Sequence, residues 1–187
     1  GGLRGEFIIR ADKLHPSAKL SFEQLALVET LAIGCHAVDR GGVREGEACL
    51  VIGAGPIGLA TLEFVQLRGA RPVVLDLDEQ RLAFCRDRLG IKHALAPNDD
   101  LVEQLKACCE GHLPDVVIDA TGSEISMSKS FSLIAPKGRL VFVGLTTGEV
   151  VFRHPVFHRP EGTLLCSRNA LPNDFRQIIR WIESGRI

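Results

Sequence analysis

The chain has 187 residues, 45% of them hydrophobic and 24% charged, with 19 glycines and 9 prolines, a composition that excludes disorder, collagen and coiled coil. Lys and Arg total 22 against 23 Asp and Glu, and the resulting net charge of −1 leaves no basic footprint for nucleic acid. No apolar run approaches the roughly 20 residues of a membrane helix, and the opening GGLRGEFIIR has no secretory h-region, which predicts a soluble, cytoplasmic protein.

Residues 6–10 (EFIIR) read as a short strand, followed by a turn at His15-Pro16-Ser17. A helix is predicted over 21–40, with Ser21 as N-cap, Gln24 at its third position and Gly41-Gly42 as its end. From about residue 43 the pattern alternates: strand 48–52, helix 56–67, strand 72–76, helix 79–89, strand 93–95, helix 100–109. Strand 115–120, helix 123–134 and strand 139–144 come next, then strand 163–167 and helix 173–184. Strands of unbroken Val, Ile and Leu, each followed by an amphipathic helix, predict a parallel sheet covered on both faces. Right-handed crossovers make this α/β arrangement a doubly wound Rossmann sheet. The first 20 or so residues fall outside the alternation and read as the edge of another domain.

The cysteines at 35, 49, 85, 108, 109 and 166 form no C-x-x-C pair, and each is expected to be a buried, reduced thiol. His154 and His158 are four apart, but Pro155 between them argues against a helix, which leaves both as surface or loop residues.

The strongest motif is Gly53-Ala54-Gly55-Pro56-Ile57-Gly58, set between the first predicted strand of the alternation and its helix. Gly53 permits a tight turn, Gly55 lets backbone approach a pyrophosphate, and Gly58 lets helix and strand pack closely. Pro56 suits the first helical position, and the helix end at Ile57 offers N–H groups and a positive dipole to phosphate. Asp76, 23 residues after Gly53, closes the next strand where a carboxylate would accept hydrogen bonds from the adenosine ribose. Two unit charges at 4 Å repel by about 4 kcal/mol at an effective dielectric of 20. NAD is therefore expected over NADP, unless Arg71 or Arg81 neutralises the extra phosphate. Asp78 competes for the ribose role or caps the following helix.

Several stretches resemble the zinc-type medium-chain alcohol and polyol dehydrogenases. They are LVETLAIGCHAV (27–38), GGVREGEACLVIGAGPIGL (41–59), VVLDLDEQRLAF (73–84), DVVIDATG (115–122) and GRLVFVGL (138–145). FHRPEGTLLCSRNALPNDF (157–175) is similar to the sorbitol and sugar-acid dehydrogenase branch. The resemblance implies an NAD-binding domain over 21–187, with 1–20 a remnant of a GroES-like catalytic domain. It further implies that Arg81 contacts the ribose beside Asp76, and that Thr121 and Gly122 flank the cofactor. Val143, Gly144 and Leu145 would meet the nicotinamide amide through backbone, while Cys166, Ser167 and Arg168 would close over the nicotinamide half; Arg168 also reads as a plain surface cation. Glu29 would stand beside the catalytic zinc, as a ligand or bound to its water, although a glutamate exposed on the helix is the competing reading. The usual proline after this glutamate is replaced here by Thr30.

The implied parent enzyme oxidises a secondary alcohol, a polyol or sugar acid, with zinc and NAD. The family's remaining zinc ligands are not in these 187 residues, so the chain is expected to bind NAD(H) without turnover. A homo-oligomer through the sheet edge near 163–168 is a further expectation, with neither nucleic acid nor membrane as partner. A zinc-free quinone or enoyl reductase domain and a non-catalytic dinucleotide sensor are the alternatives.

Overall fold

Branched apolar runs become strands wherever a neighbouring run can complete the backbone hydrogen bonds. In the computed structural model, which describes residues 4–187, these are Ala48–Ile52 (β1), Arg71–Leu75 (β2), His93–Leu95 (β3), Val116–Asp119 (β4), Arg139–Phe142 (β5) and Thr163–Cys166 (β6). They form one sheet in the order β3-β2-β1-β4-β5-β6, with every neighbouring pair parallel. The order reverses between β1 and β4, so the connections leaving these strands diverge. A crevice opens there at the carboxyl ends of the strands, the place where open α/β sheets take ligands.

Seven helices cover the sheet among the described residues: Phe22–Arg40 (α1), Pro56–Leu67 (α2), Glu79–Leu89 (α3), Leu101–Cys108 (α4), Glu124–Ser130 (α5), His154–His158 (α6) and Pro172–Glu183 (α7). Side-chain alternation splits each strand between two cores. Cys49, Val51, Val74, Ile118 and Val141 pack beneath α1, α2, α3 and α7. Leu50, Ile52, Val73, Val117, Leu140 and Phe142 pack beneath α4, α5 and α6. A run such as ACLVI is buried at every position because both faces are covered. No helix among the described residues is long and apolar enough to cross a membrane.

The predicted capping box is present: Ser21 Oγ accepts from the Gln24 N–H at 3.2 Å, and Gln24 Oε1 accepts from the Ser21 N–H at 3.0 Å. Two expectations are overturned. Residues 6–10 form no strand; a strand needs a partner, no ladder reaches this segment, and Phe7, Ile8 and Ile9 stand exposed. His154–His158 is a helical turn despite Pro155, because a proline in the first turn gives up no intrahelical bond. The helix expected over 123–134 ends at Ser130, beyond which Phe131, Leu133 and Ile134 turn into the core. Of the front segment 1–20, residues 1–3 lie outside the described residues. Beyond them Ala11–Lys13 makes a single 3-10 turn, the His15 ring stacks on Phe175 of α7 at 5.1 Å, and Ser17 Oγ donates to Glu183 at 2.7 Å.

Helix α1 crosses α2 at Gly34, where a Cβ would lie 2.7 Å from both the Ala60 carbonyl carbon and the Thr61 nitrogen. These are backbone atoms and cannot swing aside. Gly34→Ala should therefore destabilise the chain by about 1–3 kcal/mol, read as a lower urea midpoint with an unchanged m-value.

Candidate functional site at the carboxyl edge of the sheet

Hydrophobic strands carry the chain to the crevice, and the residues that end them form it. After β1 the chain turns at Gly53, whose φ of +94° lies in the left-handed region that favours glycine. Helix α2 then starts at once, with Gly55 as N-cap and Pro56 in its first turn. A Cβ on Gly58 would sit 1.7 Å from the Gly53 carbonyl oxygen, so the helix can rest on the turn only without a side chain there. Above Gly55 an added Cβ would meet nothing within 4 Å, and no side chain caps α2. The first turn of this helix thus presents backbone N–H groups, those of Ile57 and Gly58 included, beside open space.

Asp76 follows β2 with its carboxylate 9% exposed. One oxygen accepts from the Ala54 N–H of the glycine turn, and the other accepts from the Asp78 N–H at 2.8 Å. An ionised carboxylate has about four acceptor sites, so two remain for a pair of hydroxyls. Asp78 caps α3, its Oδ1 accepting from the N–H groups of Gln80 and Arg81. Arg81 lies 3.8 Å from both Asp76 and Asp78, so one guanidinium faces two carboxylates. Arg71 opens β2 at the far end of the strand and pairs with Glu110, which removes it from the Asp76 neighbourhood.

The ends of β4 and β5 meet backbone to backbone. A Cβ on Gly144 would lie 2.2 Å from the Gly122 nitrogen, and one on Gly122, at φ +66°, would lie 2.9 Å from the Leu145 carbonyl oxygen. Thr121 joins this contact to the glycine turn, 3.0 Å from where a Cβ of Gly53 would be. Beneath it sits a residue that sequence reasoning left out. Asp119 is fully buried; its Oδ1 accepts from the Thr121 N–H at 2.9 Å and the Thr121 hydroxyl at 2.6 Å, and its Oδ2 accepts from Ser126 Oγ at 2.6 Å. Its carbonyl also takes the N–H groups of Val143 and Gly144. An acid ending an otherwise apolar strand, followed by threonine and glycine, was the available signal.

Val143 is half-buried and Leu145 is 85% exposed at the crevice. Beyond β6, Ser167 is buried with an Oγ that has no hydrogen-bond partner among the described residues, while Arg168 is exposed. An unpaired buried hydroxyl is unusual, because leaving a polar group unsatisfied costs about 1–3 kcal/mol. The structure thus brings the glycine turn, Asp76, Arg81, Thr121, Gly122 and the ends of β5 and β6 to one edge of the sheet.

Residues 56–184 match the zinc-binding dehydrogenase family. The chain belongs to that family. It is 40% identical over 180 residues to L-galactonate-5-dehydrogenase of Escherichia coli strain K12, covering 96% of this chain and 51% of that protein. It is 37% identical over 143 residues to human sorbitol dehydrogenase, covering 74% of this chain and 39% of that one. The chain therefore spans about half the length, or less, of these curated relatives. Among solved structures, an alcohol dehydrogenase from Escherichia coli CFT073 complexed with NADH superposes with a TM-score of 0.80 at 25% identity, over 92% of this chain and 50% of that one.

Among the described residues no three His, Cys, Asp or Glu side chains gather to hold an ion. Glu29 stands exposed on α1, remote in kind from a closed ligand set. The described residues at this edge of the sheet do not by themselves assemble a zinc centre.

Two thiols depart from the expected burial, Cys108 in part and Cys166 fully. Cys35, Cys49, Cys85 and Cys109 are buried and Cys108 is half-buried, but Cys166 is exposed, because β6 forms the sheet edge and only Leu165 of that strand turns inward. Burial, aided by Asp39 and Asp174, pushes the Cys35 thiol up to about 12, and burial pushes Cys109 up to about 11. Cys49 is driven upward by the same desolvation. In the folded chain at pH 8, Ellman's reagent should titrate a single thiol promptly, and Cys166→Ser should abolish that phase. Asp119→Ala, which strands three donors, should lower stability by about 2–3 kcal/mol in urea unfolding.

Proposed function

We propose that this crevice binds NAD(H) in preference to NADP(H), as the hydride-accepting half of a zinc-dependent dehydrogenase acting on a secondary alcohol of a polyol or sugar acid. The observation that carries the reading is the placement of Asp76, fixed by the glycine turn with two acceptor sites to spare. The cradle fits the cofactor: open space over Gly55 and an uncapped helix end suit a pyrophosphate, and the two remaining sites on Asp76 suit adjacent ribose hydroxyls. When bound, the nicotinamide supplies the carbon that takes the hydride.

The protein's part is to bind and orient. The N–H groups of Ile57 and Gly58 would neutralise the pyrophosphate, with Gly53 and Pro56 setting the turn that aims them. Asp76 would hold the adenosine ribose with Arg81 alongside. Two carboxylates against one guanidinium leave the ribose end net negative, which repels a 2′-phosphate. Thr121, Gly122, Val143, Gly144 and Leu145 would line the nicotinamide half through backbone, and Cys166, Ser167 and Arg168 would close its far side. The names of the relatives, an L-galactonate and a sorbitol dehydrogenase, support the substrate class. In this reading segment 1–20 belongs with a catalytic domain, and Glu29 is this chain's one contribution beside a zinc ion held by ligands outside the described residues. The exposed edge of β6, where Leu164 is 42% exposed, would pair with a second copy of the chain.

Titration with NADH, followed by its fluorescence, should give saturable binding, with NADPH weaker by at least about tenfold, or 1.4 kcal/mol. Asp76→Ser should weaken NADH and narrow that gap. Equal affinity for the two dinucleotides in the native chain would sink the reading. Light scattering should give a dimer mass that Leu164→Lys lowers to the monomer.

A further inference from the structure

A recess of about 360 Å³ is lined by Phe152, His154, Phe157, His158, Glu161 and Gly162, none of which belongs to the dinucleotide crevice. Strand β6 begins at Thr163, immediately after Gly162, and runs parallel to its neighbours. The recess therefore borders the amino edge of the sheet, while the glycine turn and Asp76 occupy the carboxyl edge.

His154 and His158 stand one helical turn apart on α6, so both side chains project from the same side. Their ring centroids are 4.8 Å apart and the planes are inclined by 36°. Helix α6 is short but anchored. Phe157 packs edge-on against Phe131 at 5.1 Å and against Phe152 at 5.8 Å, and the Gly162 N–H donates to the Phe157 carbonyl at 3.2 Å. The Glu161 N–H donates to the His158 carbonyl at 3.0 Å, and Glu161 holds a left-handed φ of 53°. A non-glycine residue kept in that region needs support from its surroundings, and the result is a carboxylate on the rim of a recess that already holds two imidazoles.

We propose that His154 and His158, with Glu161 at the rim, form a site for a divalent transition-metal ion of the nickel, copper and zinc class. Imidazole nitrogen suits these ions, whereas magnesium and calcium prefer oxygen ligands. Two imidazoles one turn apart on a helix make a chelating pair, the spacing by which helices present paired histidines to zinc. Once one has bound, the second is already nearby, so its attachment loses little further entropy. The described residues hold no ready three-ligand cluster, so the histidine pair is the core of the site and Glu161 supplies a carboxylate at its rim. The carboxylate also offsets the cations of Arg153 and Arg159, which bracket the helix. Water fills the remaining positions, as in open metal sites.

The test is calorimetric titration of the intact chain with NiCl2 after chelator treatment, in a Cys166→Ser background that removes the exposed thiol. One ion should bind saturably, MgCl2 should give no binding, and His154→Ala or His158→Ala should each weaken nickel by roughly tenfold or more, the range typical when metal-site partners are removed. Glu161→Gln should give a smaller loss. All three side chains are exposed, so circular dichroism and thermal midpoints of the variants should match the parent. NADH affinity of the His154, His158 and Glu161 variants should match that of their Cys166→Ser parent, which separates this proposal from the dinucleotide reading. Absence of saturable nickel binding, or binding untouched by both histidine substitutions, overturns it.

Discussion

The structure depends on one close approach, the seating of α2 on the turn that ends β1. With a Gly53 carbonyl 1.7 Å from where a Cβ of Gly58 would be, the helix axis is set by contact between backbones rather than side chains. That seating aims the helix end at the crevice, brings the Ala54 N–H onto Asp76, and leaves Gly55 bordering open space. A side chain at position 58 would lift the helix and disturb all three together. Gly34 repeats the device one layer out, letting α1 lie directly on α2.

A second contact of the same kind couples the other half of the crevice. Gly122 and Gly144 touch through backbone, and the buried Asp119 carboxylate ties Thr121 and Ser126 beneath them. Burying a polar group without partners is costly, and here three donors meet the Asp119 side chain. Asp119 thus turns two separate loops into one surface next to the glycine turn. Ser167 contrasts with it, since its buried hydroxyl has no partner among the described residues. Such a group at the edge of a candidate cofactor pocket is suited to a ligand hydrogen bond.

Electrostatics and exposure sort the remaining features. The overall charge of −1 hides a local excess at the ribose end, where Asp76 and Asp78 outnumber Arg81. Arg71, equally close to Asp76 in sequence, is spent on Glu110 at the opposite end of its strand. Most thiols are buried and held above their ordinary range, whereas Cys166 lies exposed on the outermost strand.

The sequence by itself determined the six strands, the helices that follow β1, β2, β3, β4 and β6, the glycine turn and the acid just after β2. These rest on local physics: unbroken apolar runs, caps such as Ser21 with Gln24, and glycines where backbone must approach backbone. The boundary errors were also local, as where the helix predicted over 123–134 stops at Ser130 because its last apolar residues find the core instead. Tertiary structure alone decided whatever needed a partner distant in sequence. EFIIR has strand-forming residues but no neighbouring strand among the described residues, so it forms no ladder there. Pro155 forbids a helix interior yet suits a first turn, and only the packing of Phe157 on Phe131 shows that a turn forms there. The role of Asp119 was likewise hidden, because the hydroxyls that satisfy it are placed by the fold. The strand order, too, follows from crossovers that no single segment encodes, and with it the meeting of these strand ends at one edge.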